Sequence, residues 1–557
     1  MSQAKPLLIF KRIFFLPLLI LVCLNACVSP SDTKLQRAKT HPRPLSSTST
    51  MDMKEYLVAL FDSTAIGPLL IAGDTIQHPE ILQKAYMMHQ FEPFWVNEQG
   101  LITNAENFIH AIKEIRYDGL DPSNYDCSTI EKSALRIKHN QATKANINEF
   151  ELLMSRSFLH VSNDLLIGSN PSKRNRKDWK IANDSAAEYS DKVCNAMNNE
   201  HIGNALELMR PQHRYYNAIR EEYKRLYKLN EAGGWNKIIM PTDSLSKDTS
   251  AQWFCSLRKR LFIETGMPSD TSSGKWTVDL SEAIRHFQYT NHNRPNGKID
   301  STTIAKLNID IHSKLNTLSS NMERLRWMKH DFPQPYIWVD VAKQELYYIE
   351  NDSIQFNMKV VVGKPTRPTT MLVARLQNIV FNPPWTVPPT IMKEDVIPGI
   401  AKRGSSYLTR KGLKAFDKNG KQVANADINA TNINKYKVRQ APGYRSSLGE
   451  VKFNLLNPWS IYLHDTPHRE DFVKFYRAYS SGCIRVHHPK EFAAFLLRDS
   501  AKYSNTKIDS ICNTRKTMYV PMHRDVMVHI VYLTNALDST GHVMYLKDVY
   551  KWDAVKK

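Results

Sequence analysis

The sequence predicts a multidomain α+β chain: a helical N-terminal part, a small three-helix module and a β-rich C-terminal third. Three observations predict it. The 557 residues exceed the ~250–300 at which a single hydrophobic core stops growing. Apolar residues recur at helical spacing from about residue 51 to 235, then give way to alternation from Pro335 onward. Apolar residues make up 42% of the chain, enough to bury real cores and to exclude global disorder. Glycine (20) and proline (28) are at ordinary levels, which excludes collagen-like or low-complexity architecture.

In order along the chain, Lys11 and Arg12 precede an apolar run from Ile13 to Cys27, interrupted by Pro17. It is too short for the ~20 residues of a spanning helix. Basic residues, a short apolar stretch and then small residues describe a secretory signal. Leu24-Asn25-Ala26-Cys27 resembles a bacterial lipobox, with Asn25 departing from the usual pattern and Cys27 as the lipidated residue. An uncleaved single anchor and ordinary cleavage are the alternatives, and all three export the chain. No second long apolar run exists, so a multispanning membrane protein is excluded. Residues 28–50 are polar and proline-containing, and read as a tether.

From 51 to 250 the pattern predicts a helical domain. Ala105, Phe108, Ile109, Ile112 and Ile115 share one helix face, and Glu149–Ile167 and Tyr215–Leu229 read similarly. Gly119-Leu120-Asp121-Pro122 is a turn, and 230–250 is loop-like. Residues 251–310 predict a compact three-helix module: Phe254–Phe262, Leu280–Tyr289, and Ser301–Leu307 capped by Asp300 or Ser301. A short helix, Asn321–Lys329, falls in a connecting segment, 311–334. The final domain, 335–557, has strands near 336–341, 345–350, 356–362, 378–382, 461–464 and 526–533. Helices are predicted at Pro389–Val396 and Pro489–Leu497. The stretch 398–450 has weak periodicity. A loop that long is uncommon unless it acts as a lid.

The formal net charge is +20, spread along the chain. Export makes nucleic acid an unsuitable partner, and an anionic envelope polymer or membrane surface the more natural one. Of seven cysteines, Cys23 lies in the signal and Cys27 would carry lipid. Cys127, Cys194, Cys255, Cys483 and Cys512 remain, an odd set, so at least one stays unpaired within the chain. Free buried thiols at all five positions fit the sequence as well.

The chemistry concentrates in Ile461-Tyr-Leu-His-Asp-Thr-Pro467 and Tyr479-Ser-Ser-Gly-Cys-Ile-Arg-Val486. His464 closes a predicted strand, and a connection and return strand could bring Cys483 beside it. A thiol titrates near ~8.5, and a paired imidazolium can lower it to roughly 3.5–7.5. His464 would act as general base and acid, and the backbone N–H groups of Gly482 and Cys483 as an oxyanion hole. Spacing alone favours a structural cysteine and a surface histidine over this catalytic pair. A metal reading rests on His464-x-x-x-His468 and His487-His488. Pro467 breaks the helix such a pair needs, and the Glu of H-E-x-x-H is missing. No metal and no cofactor is expected.

These residues resemble the signature of the YkuD-fold L,D-transpeptidases: His464, then Ser480-Ser481-Gly482-Cys483-Ile484-Arg485, with Ser481 where the family has a histidine. Tyr462-Leu-His-Asp-Thr-Pro is closer still to the YcbB-like subgroup. Phe381-Asn-Pro-Pro-Trp385, Arg439-Gln-Ala-Pro-Gly443, Leu448-Gly449 and Arg324-Leu-Arg-Trp327 look like other blocks of that subgroup. Tyr86, Pro93-Phe-Trp95 and Asp118-Gly-Leu-Asp-Pro122 resemble its scaffold domain. Ala283-Ile-Arg-His-Phe-Gln288 with Asn296-Gly-Lys-Ile-Asp300 is similar to a peptidoglycan-binding module, although Arg294-Pro295 departs from its usual Gly-Leu segment.

The resemblance implies a peptidoglycan L,D-transpeptidase serving cell wall biogenesis and cell shape. It would form 3→3 cross-links by acyl transfer through Cys483 from a tetrapeptide donor stem to an acceptor amine, releasing D-alanine. The Asp465 backbone carbonyl would orient His464, while Arg485, Tyr462 and Ser481 would meet substrate. Residues 390–445 would be the lid, where Lys393, Lys402 and Arg403 could meet an anionic glycan-peptide. Partners implied are peptidoglycan stem peptides and glycan, the membrane through an N-terminal lipid or anchor at the periplasmic face, and carbapenems as covalent adducts. Alternatives are an L,D-carboxypeptidase or endopeptidase on the same fold, and a non-catalytic envelope-binding protein.

Overall fold

A computed structural model describes residues 52–61, 70–71, 74–76, 78–174, 176–181, 186–198, 202–240, 247–266, 270–330 and 332–553. The export segment with Cys27 and the tether 28–50 lie outside the described residues.

The N-terminal part is helical, as the spacing predicts. Its centre is α1 (Lys144–Leu166), started by a capping box in which Thr143 and Asn146 satisfy each other's backbone donors. Phe108, Phe150, Phe158 and Trp95 fill the core around it. Glu151 of α1 is fully buried and accepts from the backbone N–H groups of Phe94 and Trp95 (2.6 and 3.0 Å) and from the Tyr86 hydroxyl (2.9 Å). That carboxylate explains the Tyr86 and Phe94-Trp95 blocks physically. They wrap one buried acceptor, whose pKa burial pushes up to about 7.

Two further helices, α2 (Arg214–Glu231) and α3 (Ile311–Arg326), bury their apolar faces in the core of the C-terminal domain. α3 is capped by Asp310, which accepts from Ser313 N–H. The predicted helix at Asn321–Lys329 therefore starts ten residues too late and overruns the end. Polar His312, Ser313, Asn316 and Ser319 dilute the apolar stripe of Ile311, Leu315, Leu318, Met322 and Leu325. Between α2 and α3 sits the small module, with helices Lys247–Thr265, Val278–Thr290 and Ser301–Leu307 around Leu257, Leu280, Ile284, Phe287 and Leu307. Gln288 stitches its central turn. Its Nε2 donates to Asn296 Oδ1, the Lys298 carbonyl and Thr303 Oγ1, and its Oε1 accepts from Gly297 N–H.

The C-terminal domain is a closed eight-stranded barrel. Its strands are β1 (Tyr336–Asp340), β2 (Glu345–Glu350), β3 (Ser353–Gly363), β4 (Leu372–Phe381), β5 (Val451–Leu455), β6 (Tyr462–His464), β7 (Ile484–Val486) and β8 (Met527–Val531). The ring runs β1-β2-β3-β7-β6-β5-β4-β8 and closes where β8 pairs in parallel with β1. Closure removes edges that would otherwise template aggregation. Alternation sets the two faces. Val451, Phe453, Leu463, Ile484, Val360 and Val486 point inward and are fully buried, each worth ~1.5–3 kcal/mol against exposure. Their neighbours Lys452, His464, Arg485 and Lys359 point outward. α4 (Pro489–Leu497), at the bounds the sequence predicts, packs Phe492 and Leu496 on the core.

Between β4 and β5 lies the insertion expected to be a lid, called the lid below. Its first helix does not stop at Val396: it runs through a π turn at Met392–Val396 into Ile397–Arg403. The stretch expected to lack periodicity folds a four-stranded sheet, in the order 422–423, 413–416, 437–440 and 385–386. It has its own small core of Val396, Ile400, Leu408, Leu413, Ile433 and Val438. Strands of two to four residues are too short for alternation to register in the sequence.

Candidate active site

The parallel pairing of β6 with β7 assembles the site. Leu463 lies opposite Ile484 and His464 opposite Arg485, which puts Cys483, one residue earlier, beside Tyr462. Residues two apart on a strand share a face. His464, Tyr462, Cys483 and Arg485 thus all project from the outer face of the barrel, with Lys452 of β5 paired to His464 on the same face. The Lys452 ammonium sits 4.0 Å from the centroid of the Tyr462 ring, and the Tyr462 and His464 rings meet edge-on at 5.6 Å.

His464 is buried, and its Nδ1 lies 2.5 Å from the Asp465 carbonyl oxygen. A carbonyl only accepts, so Nδ1 carries the proton and Nε2 presents a lone pair. The Asp465 side chain is engaged elsewhere. Its oxygens accept from Glu450 N–H (2.8 Å) and Thr466 N–H (2.6 Å), and Arg469 pairs with it at 2.5 Å. A Cβ on Gly449 would fall 2.3 Å from that carboxylate, which explains the Leu448-Gly449 block.

Cys483 follows a tight turn, half-buried, with Sγ 3.9 Å from the Ser460 carbonyl. Ser480 clamps the turn: its Oγ accepts from Gly482 N–H (3.1 Å) and donates to the Cys483 carbonyl (2.5 Å). Gly482 has φ +119, a conformation that favours glycine. Its N–H faces Ser480. To serve as the expected oxyanion-hole donor, that N–H would have to leave Ser480. Ser481 is exposed, and its hydroxyl accepts from Arg367 Nη1 at 3.1 Å.

The electrostatics also correct an expectation. Burial, reinforced by the Arg485 and Lys452 cations and only partly opposed by the Asp465 carbonyl, lowers His464 to about 3. Burial raises the Cys483 thiol, against smaller opposing effects from Tyr462, Lys452 and Arg485. Both shifts disfavour the charged forms, thiolate and imidazolium, at rest. Desolvation penalises both charges before reaction begins. Tyr462 is pushed up by burial and by its contact with Cys483, and its hydroxyl also meets Trp385 at the root of the lid.

Arg485 engages one of its guanidinium nitrogens inside the domain. Its Nη1 pairs with Asp471 Oδ2 at 3.2 Å, a partner within the domain. His468 is exposed beside Glu470, and His487 stacks between Phe472 and His488. Among the described residues no group of three or more His, Cys, Asp and Glu side chains is placed to hold a metal ion. Lys393, Lys402 and Arg403 are exposed on the lid. All five described cysteines are free thiols.

Sequence reasoning missed Lys452, Ser460, Trp385 and Arg367. Arg367 pairs with Glu394 (2.6 Å) and, through two nitrogens, with Asp395 (2.6 and 2.9 Å) while touching Ser481. It reaches Ser481 of the cysteine turn, 114 residues away in sequence, as well as the two carboxylates of the insertion. Only the strand pairing reveals Lys452. Its alternation with Val451 and Phe453 was the one available signal.

Residues 334–509 match the L,D-transpeptidase catalytic domain family, and residues 80–222 match the Scaffold domain. A Haemophilus influenzae protein provisionally named an L,D-transpeptidase is 34% identical over 254 residues, covering 43% of this chain. The chain spans about half (51%) of that relative's length. Among solved structures, an L,D-transpeptidase from Stackebrandtia nassauensis is 12% identical, covering 53% of this chain and 97% of its own, with a TM-score of 0.19. A cysteine-to-serine variant of the Enterococcus faecium L,D-transpeptidase is 13% identical, covering 48% and 88%, with a TM-score of 0.18. Scores this low carry no argument, and the assignment rests on the sequence matches. Residues 334–509 thus match the YkuD-type L,D-transpeptidase catalytic domain, and residues 80–222, ahead of it, match the Scaffold domain.

Proposed function

We propose that this chain is a cell-envelope L,D-transpeptidase that builds 3→3 peptidoglycan cross-links through Cys483, in the service of wall biogenesis and cell shape. The single observation that supports this best is the fixed tautomer of His464. A neutral imidazole with a free Nε2 shares one barrel face with a thiol two backbone steps away on the adjacent strand.

In the first step the Cys483 sulfur attacks the carbonyl of the third stem residue, and its proton passes to His464 Nε2. The C–N bond to D-alanine breaks, and the imidazolium returns the proton to the departing amine. The product is a thioester on Cys483. An acceptor stem amine then attacks that carbonyl and gives its proton to Nε2, while the C–S bond breaks and the thiol is restored. Starting from a neutral pair avoids holding two desolvated charges at rest, and charge develops only as the substrate arrives. The lid, joined to the site through Trp385 and Arg367, excludes water from the thioester and so favours the amine. The N-terminal segment would hold the enzyme at the periplasmic membrane face through Cys27, and carbapenems would acylate Cys483.

The test is incubation of purified protein with disaccharide-tetrapeptides, read by mass spectrometry. Dimers lacking one D-alanine are expected. Tripeptide products alone would identify a carboxypeptidase. A Cys483→Ala variant with full activity would remove the nucleophile's role and favour a binding protein.

A further inference from the structure

A second concave site lies away from the cysteine, where the three-helix module stands over the barrel. This cleft of about 630 Å³ is lined from the module by Tyr289, His292, Asn293 and Arg294, and from the barrel domain by Lys343, Lys359 and the segment Val473–Arg477. Its floor is the outer face already described. Val361, two residues after Lys359 on β3, lies opposite Arg485 on β7, so Lys359 projects from the same side as His464 and Cys483. Its wall continues directly into the strand Ala478–Ser480 and the cysteine turn.

The cleft is cationic with few internal anions. Lys343 is paired with Glu345 and Lys474 with Asp471. Lys359 reaches only a backbone carbonyl, that of Phe472. Arg294 is exposed and has no side-chain partner among the described residues. Arg477 is 6% exposed, and its guanidinium is held by the carbonyls of Gln344, Val360, Lys474 and Phe475, none of them a carboxylate. Two buried polar atoms in the same lining, His292 Nδ1 and Asn293 Nδ2, have no hydrogen-bond partner among the described residues, which leaves polar capacity beside the cleft. Burial first, then Lys306, Arg477 and Lys343 against the opposing Glu345, lower His292 to about 4, so its ring is neutral and the local field positive. Tyr289 and Phe475 are 43% and 39% exposed at the rim, flat apolar surfaces of the kind that pack on sugar rings.

We infer that this cleft holds the carboxylate-bearing glycan–peptide strand next to the reacting stem, with Arg294 and Lys359 meeting its carboxylates and Tyr289 and Phe475 its sugars. A concave cleft of this volume suits a chain-like ligand rather than a flat membrane surface. The inference rests on the transpeptidase reading for the identity of the polymer, and its test separates the two.

The full chain and an Arg294→Glu/Lys359→Glu double variant are compared in two assays: cosedimentation with purified peptidoglycan sacculi, and turnover of a soluble disaccharide-tetrapeptide. Both side chains are exposed, and equal melting temperatures check the fold. Sacculus binding is expected to fall at least about tenfold, as charge reversal in a complementary site does, with soluble turnover within about twofold of the parent. Unchanged sacculus binding overturns the inference, as does equal loss of binding and soluble turnover. A parent protein that binds sacculi in a charge-dependent way yet turns over neither substrate would overturn the transpeptidase reading and leave the cleft standing.

Discussion

Cys483 and His464 each sit where a charge is expensive, which sets a specific pH behaviour. With the thiol above its ordinary value and the imidazole at about 3, alkylation of Cys483 by iodoacetamide should rise through pH 8 and beyond, with no plateau at pH 7. Peptide mapping across a pH series reads this directly, and a plateau already reached at pH 6–7 would reinstate the ion pair. Local strand-and-turn patterns made it legible that Cys483 and His464 could meet, while their catalytic roles and that of the Asp465 carbonyl came from the resemblance to the YkuD signature. The charge state of the two side chains stayed unread. That depends on Arg485 and Lys452 converging with burial on one imidazole, and no spacing rule encodes convergence. Arg485 illustrates the same limit: an arginine beside a nucleophile reads as a ligand anchor, and only the fold shows that one of its nitrogens also pairs with Asp471.

For the elements, the lid was legible by position and illegible by content. Proline-rich Phe381–Pro388 and the polar run that follows mark an insertion. The four short strands inside it are each too brief to show a period. What holds it shut is equally non-local. Arg367 is partly buried against Glu394 and Asp395, which lie 27 and 28 positions away. The Asp395 carboxyl is held below its usual value, chiefly by hydrogen bonding to Arg367. The latch is therefore intact above the ordinary carboxylate pKa of ~3.9 and is lost as pH falls through the lower bound value. Partly exposed pairs of this kind are worth little singly, ~0.2–1 kcal/mol. Arg367→Ala should raise the share of tripeptide over cross-linked dimer by roughly 2–10-fold at neutral pH while leaving folding intact. An unchanged product ratio, measured by chromatography of the muropeptides, would leave the latch without a role in excluding water.

Across the whole molecule, one buried carboxylate joins the helical part to the barrel. Asp118 accepts from Arg210 through both oxygens (2.8 and 2.8 Å), from the Tyr216 hydroxyl (2.9 Å) and from Arg220 (3.1 Å), while Arg326 donates to its backbone carbonyl. The blocks Asp118-Gly119 and Arg324-Leu-Arg-Trp327 were visible as separate motifs, and only the fold shows that they meet. Gly119 has φ +69, and a Cβ there would strike Ser319 of α3. Asp118→Ala strands buried guanidinium groups and should cost ~3–5 kcal/mol, seen as a lower urea midpoint. A loss under 1 kcal/mol would mean that the arginines find water.

Acid stability belongs to this scale too. Burial is the leading cause that lowers His213 and His464 to about 3 and His292 and His529 to about 4. In the unfolded chain they titrate near ~6.5, so as pH drops below that value the unfolded state binds more protons and stability falls. Glu151 and Asp340, raised by burial to about 7, act in the opposite direction between about pH 4 and 7. Four groups outweigh two between about pH 6.5 and 4, and below about 4 His213 and His464 alone continue to favour the unfolded state. Melting temperature should decline steadily from about pH 6.5 to 3. A flat profile down to pH 3 would contradict the burial of these histidines.

The central claim is that Cys483 becomes the acyl carrier when neutral His464 accepts its proton. Rapid-quench mass spectrometry of the enzyme with disaccharide-tetrapeptide tests it most directly. The account predicts a disaccharide-tripeptide thioester on the peptide containing Cys483, formed at least ~10²-fold more slowly in His464→Ala. An acyl group on any other residue, or an unchanged acylation rate without His464, would contradict it.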